Sequence, residues 1–502
     1  MRTAVIEIGG TTTRAVVAEP TPGGWYRTHL DRRIVLRLQR AVARDGVVGE
    51  GLRLLVAETL RRLRGECFRA GASRTVAVVD AAVAGAGDLH ELVRTAAREL
   101  GASVQVRDDH DEARLLLRVT RPLHGGEAPV VVAEPGERVT RLVTRHVDGV
   151  RLAQVPGVVA VIGDPACVPS TRATLVDALH GVPPRCPDGA PPVVVGEIAE
   201  AVGRTLLQRR YGPVTPPAER LEVGVDELAL LDRELATVSP TQLLLLPAVA
   251  PEEADVIARG AAYLVALATR WNADRLVLSR DSATDGQLLE ALRLDPAPDT
   301  RRTSGVEELC RGAHARTTAH LAADLARGLA PTYRWDDDEV ALVRDAALLH
   351  DVAVDRVAGA AHREGALEVL RAGVPGCTPQ QVVELASLVR FHRGRPPGQH
   401  FPPFGRLPAA RRRVVTELTG ILRLACALDR GEDASVVAVA VDVDPELICV
   451  HAFGAVPLDL PLHAAHADRA VVAATLGRQV VVRDAGPVPR SSEVRDVRVL
   501  GG

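Results

Sequence analysis

Histidine and aspartate recur in the C-terminal third of this chain at positions where helical spacing calls for hydrophobes. An imidazole or carboxylate on a packed face is costly unless it is paired or binds a cation. In Glu339 to His350, the residues Val343, Ala347 and His350 stand at i, i+4 and i+7, so His350 points inward beside Asp351. His314 shares a face with Thr318, Leu321 and Leu325. His392 ends a stripe of Val382, Leu385 and Val389, and Asp429 ends one of Val414, Leu418, Leu422 and Ala425. Any one of these alone reads as a hydrogen-bonded core histidine or a helix cap. Together and in this order, His314, His350, Asp351, His392 and Asp429 point to a metal or phosphate site, with His362 and His392 as candidates for a second ion. Imidazole and carboxylate donors do not choose among Mn, Fe, Mg and Zn.

The elements that must carry these residues are helices within 299–432, interrupted by a Pro/Gly loop at 393–408. A histidine, a His-Asp pair and an aspartate on separate helices resemble the HD superfamily of metal-dependent phosphohydrolases. Upstream the pattern is different. Strand Thr3–Ile8, the loop Gly9-Gly10-Thr11-Thr12-Thr13 and strand Arg14–Glu19 open an alternation of helices (49–64, 89–100, 111–119) with strands (75–79, 103–106). The pattern restarts at Pro129 with strands 130–133 and 139–145, as a weak repeat of the opening unit, and runs through helix 252–271 and strand 275–279. Residues 296–304 read as a polar, Pro-containing linker. After Ser435 the period returns to two, and a small α/β module follows with a helix at 468–476.

Composition narrows the function classes. A net charge of -3 over 502 residues makes no electrostatic case for nucleic acid, and 2% aromatics leave little for a base-stacking platform. The chain has no Lys, which excludes a Walker A loop and a Schiff-base lysine. Seven scattered cysteines without a CxxC fit a reducing compartment. With no signal-peptide pattern and no membrane-length apolar run, the expectation is a cytoplasmic protein without a membrane partner.

Several stretches, in order, resemble the Ppx/GppA family of exopolyphosphatases and guanosine pentaphosphate phosphohydrolases. Glu7-Ile8-Gly9-Gly10-Thr11-Thr12-Thr13-Arg14 resembles its first phosphate loop, DIGSNSxR, and Asp111-Glu112-Ala113-Arg114 resembles its EEAR helix start. Pro251 to Ile257 resembles its PxRADVI helix, and Ala346 to Asp351, Val389 to Arg393 and Ala427 to Arg430 match its helical domain. The resemblance implies a duplicated actin-like ATPase (ribonuclease H-like) α/β fold, 1-127 and 128-298, then an all-α HD-like domain, 299-432, and a small α/β tail, 433-502. It also implies a homodimer, a divalent metal (Mg or Mn), and polyphosphate or a guanosine phosphate as ligand. Asp111 would be the base that activates water and Glu7 a metal-placing carboxylate. Gly9, Gly10, Thr11, Thr12, Arg14, Gly136 and Gly196 would hold phosphate.

The chain departs from that pattern. The family's second loop, DIGGGSTE, is aligned here with Ala133 to Thr140, which replaces the carboxylate by Ala133 and brings in Pro135 and Glu137. A proline cannot donate an N–H, and Glu137 carries negative charge towards a phosphate. The later loop becomes Gly196-Glu197-Ile198-Ala199. Three expectations follow: phosphoanhydride binding or hydrolysis with impaired cleft chemistry, a non-catalytic regulatory or scaffold paralogue, or a metal-dependent HD phosphohydrolase.

Overall fold

The computed structural model describes residues 1–123, 128–146, 148–158, 176, 177, 179, 182, 190–243, 254–295, 297, 300–310, 312–355 and 359–488. The chain divides into two units, Met1–Arg209 with Pro217–Gly305, and Arg210–Pro216 with Val306–Gly502. The stretch Pro251 to Glu253 and most of the Pro-rich segment 181–192 lie outside the described residues.

The first unit holds two sheets. Strands β1 (Thr3–Ile8), β2 (Thr12–Pro20), β3 (Tyr26–Val35), β4 (Arg74–Val79) and β5 (Val104–Val106) lie in the order β3-β2-β1-β4-β5. Strands β6 (Val130–Pro135), β7 (Val139–His146), β8 (Gly149–Pro156), β9 (Val193–Val194), β10 (Leu221–Gly224) and β11 (Arg275–Leu278) lie in the order β10-β11-β9-β6-β7-β8. Read outward from β8, the second sheet repeats the antiparallel meander and the parallel crossover of the first, with β10 added antiparallel at its edge. This is the duplicated actin-like α/β fold.

β1 is apolar but for Thr3 and Glu7 because both faces are covered. Ala4, Ile6 and Ile8 pack with Leu60, Leu63, Leu92 and Ala96 of helices Glu50–Arg69 and Leu89–Leu100, while Val5 packs with Val16, Ala18 and Leu288. The second sheet buries Val130, Val132, Val143 and Val193 against Ala113, Leu115 and Leu116 of helix Asp109–Thr120. Strand β3 has no sequence signal because none of its residues is fully buried; its backbone pairing with β2 makes it a strand.

The linker expected at 296–304 is corrected: a helix, Thr300–Leu309, begins inside it. Arg301 is only 5% exposed, pairs with Asp281 and Glu219, and lies 4.8 Å over the Trp25 ring. Its polarity serves buried ion pairs.

In the second unit, helices Gly312–Tyr333, Asp337–Leu349, Ala361–Ala372, Pro379–Phe391 and Ala409–Leu428 precede a sheet of β12 (Ala438–Val443), β13 (Leu447–Phe453) and β14 (Gln479–Asp484). The tail helix, Asp459–Leu476, is longer than its spacing suggested. Asp336 with Glu339, and Thr378 with Gln381, form capping boxes that set where two ligand-bearing helices begin. Arg411 is bound to Glu384 and Glu339, so the Arg411-Arg412-Arg413 run supplies a tertiary tie as well as a solvated face. Among the described residues, no helix is long and apolar enough to cross a membrane.

Candidate functional site

Helix ends bring the helical residues together. His314 lies in the first turn of Gly312–Tyr333, while His350, His392 and Asp429 are the C-caps of three other helices. Converging helix C-termini favour positive charge. His350 Nδ1 donates to the Ala347 carbonyl at 2.7 Å, and His392 Nδ1 donates to the Val389 carbonyl at 2.7 Å. A carbonyl can only accept, so each ring carries a proton on Nδ1 and points its Nε2 inward. Both Nε2 atoms are buried without a hydrogen-bond partner.

His314 follows the same plan, its Nδ1 lying 2.7 Å from Asp429 Oδ2, and Asp429 Oδ1 accepts from the Ala434 N–H. Asp429 therefore orients a ring, the outer partner that metal-binding histidines require. His314 Nε2 stands 4.0 Å and His350 Nε2 3.2 Å from Asp351 Oδ2, and the ligand atoms of these three residues all lie within 4.8 Å of one another. The His350 ring is 5.1 Å from both His314 and His392, and His362 is 6.2 Å from His392. Burial pushes the Asp351 carboxyl up, but His350 beside it holds it well below the usual carboxylate range. Burial and His350 push the His392 imidazole well down, which keeps it neutral.

The α/β unit has a cleft of about 430 Å³ between its two sheets. It is lined by Glu7 and by all the candidate phosphate residues: Gly9, Gly10, Thr11, Thr12, Arg14, Gly136 and Gly196. Several of the polar side chains in and around it are already paired. Arg14 is 7% exposed and binds Asp31 at 2.8 Å and Asp285 at 2.8 Å, and Thr12 Oγ1 donates to Glu197 Oε1 at 2.5 Å. Glu7 accepts from Arg107 and from Thr284 Oγ1. Arg107, 3% exposed, also stands 3.1 Å from Glu112. Arg141 reaches from β7 to Asp80 at 2.7 Å, Glu134 at 2.8 Å and Asp109 at 3.3 Å. Arg40 makes a two-pronged pair with Glu137, and Arg33 binds Glu200 at 2.6 Å.

Residues 311–446 match the family model described as Ppx/GppA phosphatase, domain III. This stretch is similar to the third domain of that family. Among solved structures, an Aquifex aeolicus Ppx/GppA family member is 20% identical over 58% of this chain and 98% of that one, with a TM-score of 0.49. An exopolyphosphatase from Cytophaga hutchinsonii is 14% identical over 58% of this chain and 98% of that one, also at 0.49. A ROK hexokinase from Thermus thermophilus covers 59% of this chain and 98% of its own at 18% identity, with a TM-score of 0.23. No curated protein matches the chain significantly.

The second glycine turn of the α/β unit is better read from its hairpin than from its letters. Glu7 pairs with Arg14 across β1 and β2, and Glu134 pairs with Arg141 across β6 and β7. The Gly9 N–H donates to the Thr12 carbonyl at 2.9 Å, and the Gly136 N–H donates to the Val139 carbonyl at 3.1 Å. A Cβ on either glycine would lie 2.6 or 2.5 Å from that carbonyl oxygen, so both turns need glycine. Glu134 is thus the counterpart of Glu7, and the reading that put Ala133 in the carboxylate's place is corrected. A shared pattern, Glu-x-Gly-x-x-x-Thr-Arg at 7–14 and 134–141, carried that signal.

Asp111 is not among the cleft-lining residues. It sits in the capping box with Asp108 that starts helix Asp109–Thr120, its side chain 3.6 Å from Arg114. The next residue, Glu112, turns inward at 1% exposure, where burial, with Asp80 and Glu7 adding to it, pushes its carboxyl well up. Burial likewise raises Glu134 and Glu197, whereas Arg141 and Arg107 overcome burial to hold Asp80 low. The Mg that the family resemblance implies does not fit this cleft: Glu7 and Glu134 each already meet a guanidinium. The helical donors do fit a divalent ion, on the strength of the two orphaned Nε2 atoms.

Proposed function

We propose that the chain works through the histidine–aspartate centre, as a divalent-metal phosphohydrolase of the HD type, and that the α/β cleft serves as a charge-locked scaffold. One observation carries this reading: three histidines tie up their Nδ1 atoms, and two of them bury an Nε2 that makes no hydrogen bond. His314, His350 and Asp351 would hold the ion, and Asp429 would fix the His314 ring. A divalent ion there would polarise a phosphoryl oxygen and make a bound water more acidic. His392 Nε2, kept neutral, can accept a hydrogen bond from substrate or water. In hydrolysis the water oxygen forms the new P–O bond, the ester P–O bond breaks, and the leaving alcohol takes up a proton.

The test is metal content by plasma mass spectrometry after loading with Mn, Fe, Zn or Mg, together with hydrolysis of bis(4-nitrophenyl) phosphate, for wild type and His350→Ala. About one ion per chain and turnover, both lost in the variant, is the expected result. Metal content unaffected by His350→Ala would sink the reading. The second reading, polyphosphate or pppGpp hydrolysis in the cleft, is favoured by Glu112, a buried carboxyl with a raised pKa facing Glu7 and Asp80. Phosphate release from polyphosphate that Glu112→Gln abolishes and His350→Ala leaves intact would favour it instead.

A further inference from the structure

We propose that the outer face of helix Glu50–Arg69 is a docking surface for a second copy of this chain, with the two helices antiparallel about a two-fold axis. The resemblance given above implies only that the chain pairs. The structure supports a particular face and register, and these are what the proposal adds.

The helix, 20 residues and about 30 Å long, buries Val56, Leu60, Leu63 and Cys67 in the core of the first sheet. On its other side Gly51, Leu54, Glu58, Arg61, Gly65 and Phe68 follow one another alternately three and four positions apart, so they form one stripe along the helix. The stripe faces water. Leu54 is 65% and Phe68 80% exposed, and Glu58 is exposed between them. Arg61 Nε donates to Glu99 Oε2 at 2.8 Å, which holds the guanidinium on this face with its side chain still 62% exposed.

The two glycines of the stripe are not required by the fold around them. Neither takes a positive φ, and a Cβ built on Gly51 or Gly65 would meet nothing within 4 Å among the described residues. Glycine inside a helix is less stable than alanine, so the bare backbone at Gly65 weakens the helix and gains nothing within the described chain. What it leaves is a gap in the outer surface, four turns of helix long with Gly51 at its other end.

Read backwards, the stripe is its own complement. In an antiparallel pair centred between positions 59 and 60, Leu54 stands over the partner's Gly65, Phe68 over the partner's Gly51, and Glu58 beside the partner's Arg61. The two-fold axis repeats each contact. Every large apolar side chain meets a gap and every charge meets its opposite, as an isologous interface requires. A register centred on position 58 or 61 sets like charges against each other, and so does a parallel pair in register, so the charges select this arrangement. Alternating spacings of three and four pack two helices at a shallow angle, and glycines let the axes approach. Single exposed hydrophobes are ordinary on a protein surface. A glycine placed to receive each of them makes these two a docking face, and it names the occupant as a copy of the same helix.

The experiment is sedimentation velocity of the full chain, with unfolding midpoints taken at the lowest concentration. One helix pair is small for a specific interface, so wild type is expected to pass from monomer to dimer with a Kd on the order of 10 µM. Gly65→Leu puts a good helix former into open space. It should keep or raise the monomer's midpoint while weakening association by at least about tenfold. Glu58→Arg and Arg61→Glu each set like charges together twice, and each should weaken association by roughly tenfold. An equimolar mixture of these two variants restores both Glu–Arg contacts and should dimerise at about wild-type strength. Wild type that stays monomeric at about 100 µM, a dimer that Gly65→Leu leaves unchanged, or a mixture no stronger than its separate variants would overturn the proposal.

Discussion

In the α/β cleft, Glu7 and Glu112 meet Arg107, and Asp80, Asp109 and Glu134 meet Arg141. In the helical unit, His350 Nε2 and His392 Nε2 are buried without a hydrogen bond, the first 3.2 Å from an Asp351 held ionised. Both regions gather carboxylates and cationic or basic groups from distant parts of the sequence. One has closed its charge balance within the chain, with guanidiniums standing where a cation would go. The other has left its donors open and arranged local acceptors to keep them so. Carboxylates gathered in a cleft need no cation where an arginine from a neighbouring segment neutralises them.

The largest effect that could break this contrast is at the centre. Asp351→Ala should reduce bound divalent metal from about one ion per chain to background, with chelation of wild type lowering its unfolding midpoint and leaving the variant's unchanged. A variant that keeps its metal would dissolve the distinction. Next comes the cleft. Arg141→Ala leaves Asp80, Glu134 and Asp109 facing one another, and losing one partner of a buried ion cluster costs about 3–5 kcal/mol. Urea unfolding measures that loss, and millimolar Mg should restore part of it in the variant while leaving wild type unchanged. Mg stabilisation of wild type at the cleft would mean that the lock is open.

The convergence of His314, His350, His392 and Asp429 was legible in the sequence because a polar residue on an apolar helical stripe is conspicuous, and four such residues stood on separate helices. The duplicated fold was legible from the restart at Pro129. Arg107 and Arg141 were not, since their partners lie up to 100 residues away and nothing local distinguishes a latching arginine from a solvated one. Glu112 was passed over for Asp111 because adjacent residues on a helix differ by about 100° in direction, and only the packed structure says which faces in. Glu134 was hidden by an alignment one residue out of step. Each of these misses comes from register or long-range pairing.

A smaller effect sharpens the cleft side. The Glu112 carboxyl is raised in the folded state above its ordinary value near 4.5. The native state therefore holds a proton that the unfolded chain has released, so the stability it contributes is full below about pH 4.5 and is lost as pH rises through the folded pKa. Glu112→Gln removes this dependence. Its unfolding midpoint relative to wild type should climb between pH 5 and pH 8, and a difference that stays flat would show that Arg107 alone sets the charge state of Glu112.

The smallest expected effect concerns the rim. Arg40 is 44% exposed while its partner Glu137 is 8% exposed, and their two hydrogen bonds of 2.7 and 2.9 Å join the helix Leu38–Asp45 to the turn after β6. Half of that pair is open to water and salt, so Arg40→Ala should cost no more than about 1 kcal/mol, less at high ionic strength. Arg37 at 3.8 Å remains to face Glu137. A double-mutant cycle with Glu137→Gln, run by urea unfolding at low and high salt, isolates the pair. Coupling well above 1 kcal/mol that survives high salt would place this latch among the buried contacts of Arg141, and the cleft would then be sealed at its rim as well as its base. Weak, salt-sensitive coupling leaves the base as the lock, with Arg107 and Arg141 as the residues that neutralise its carboxylates.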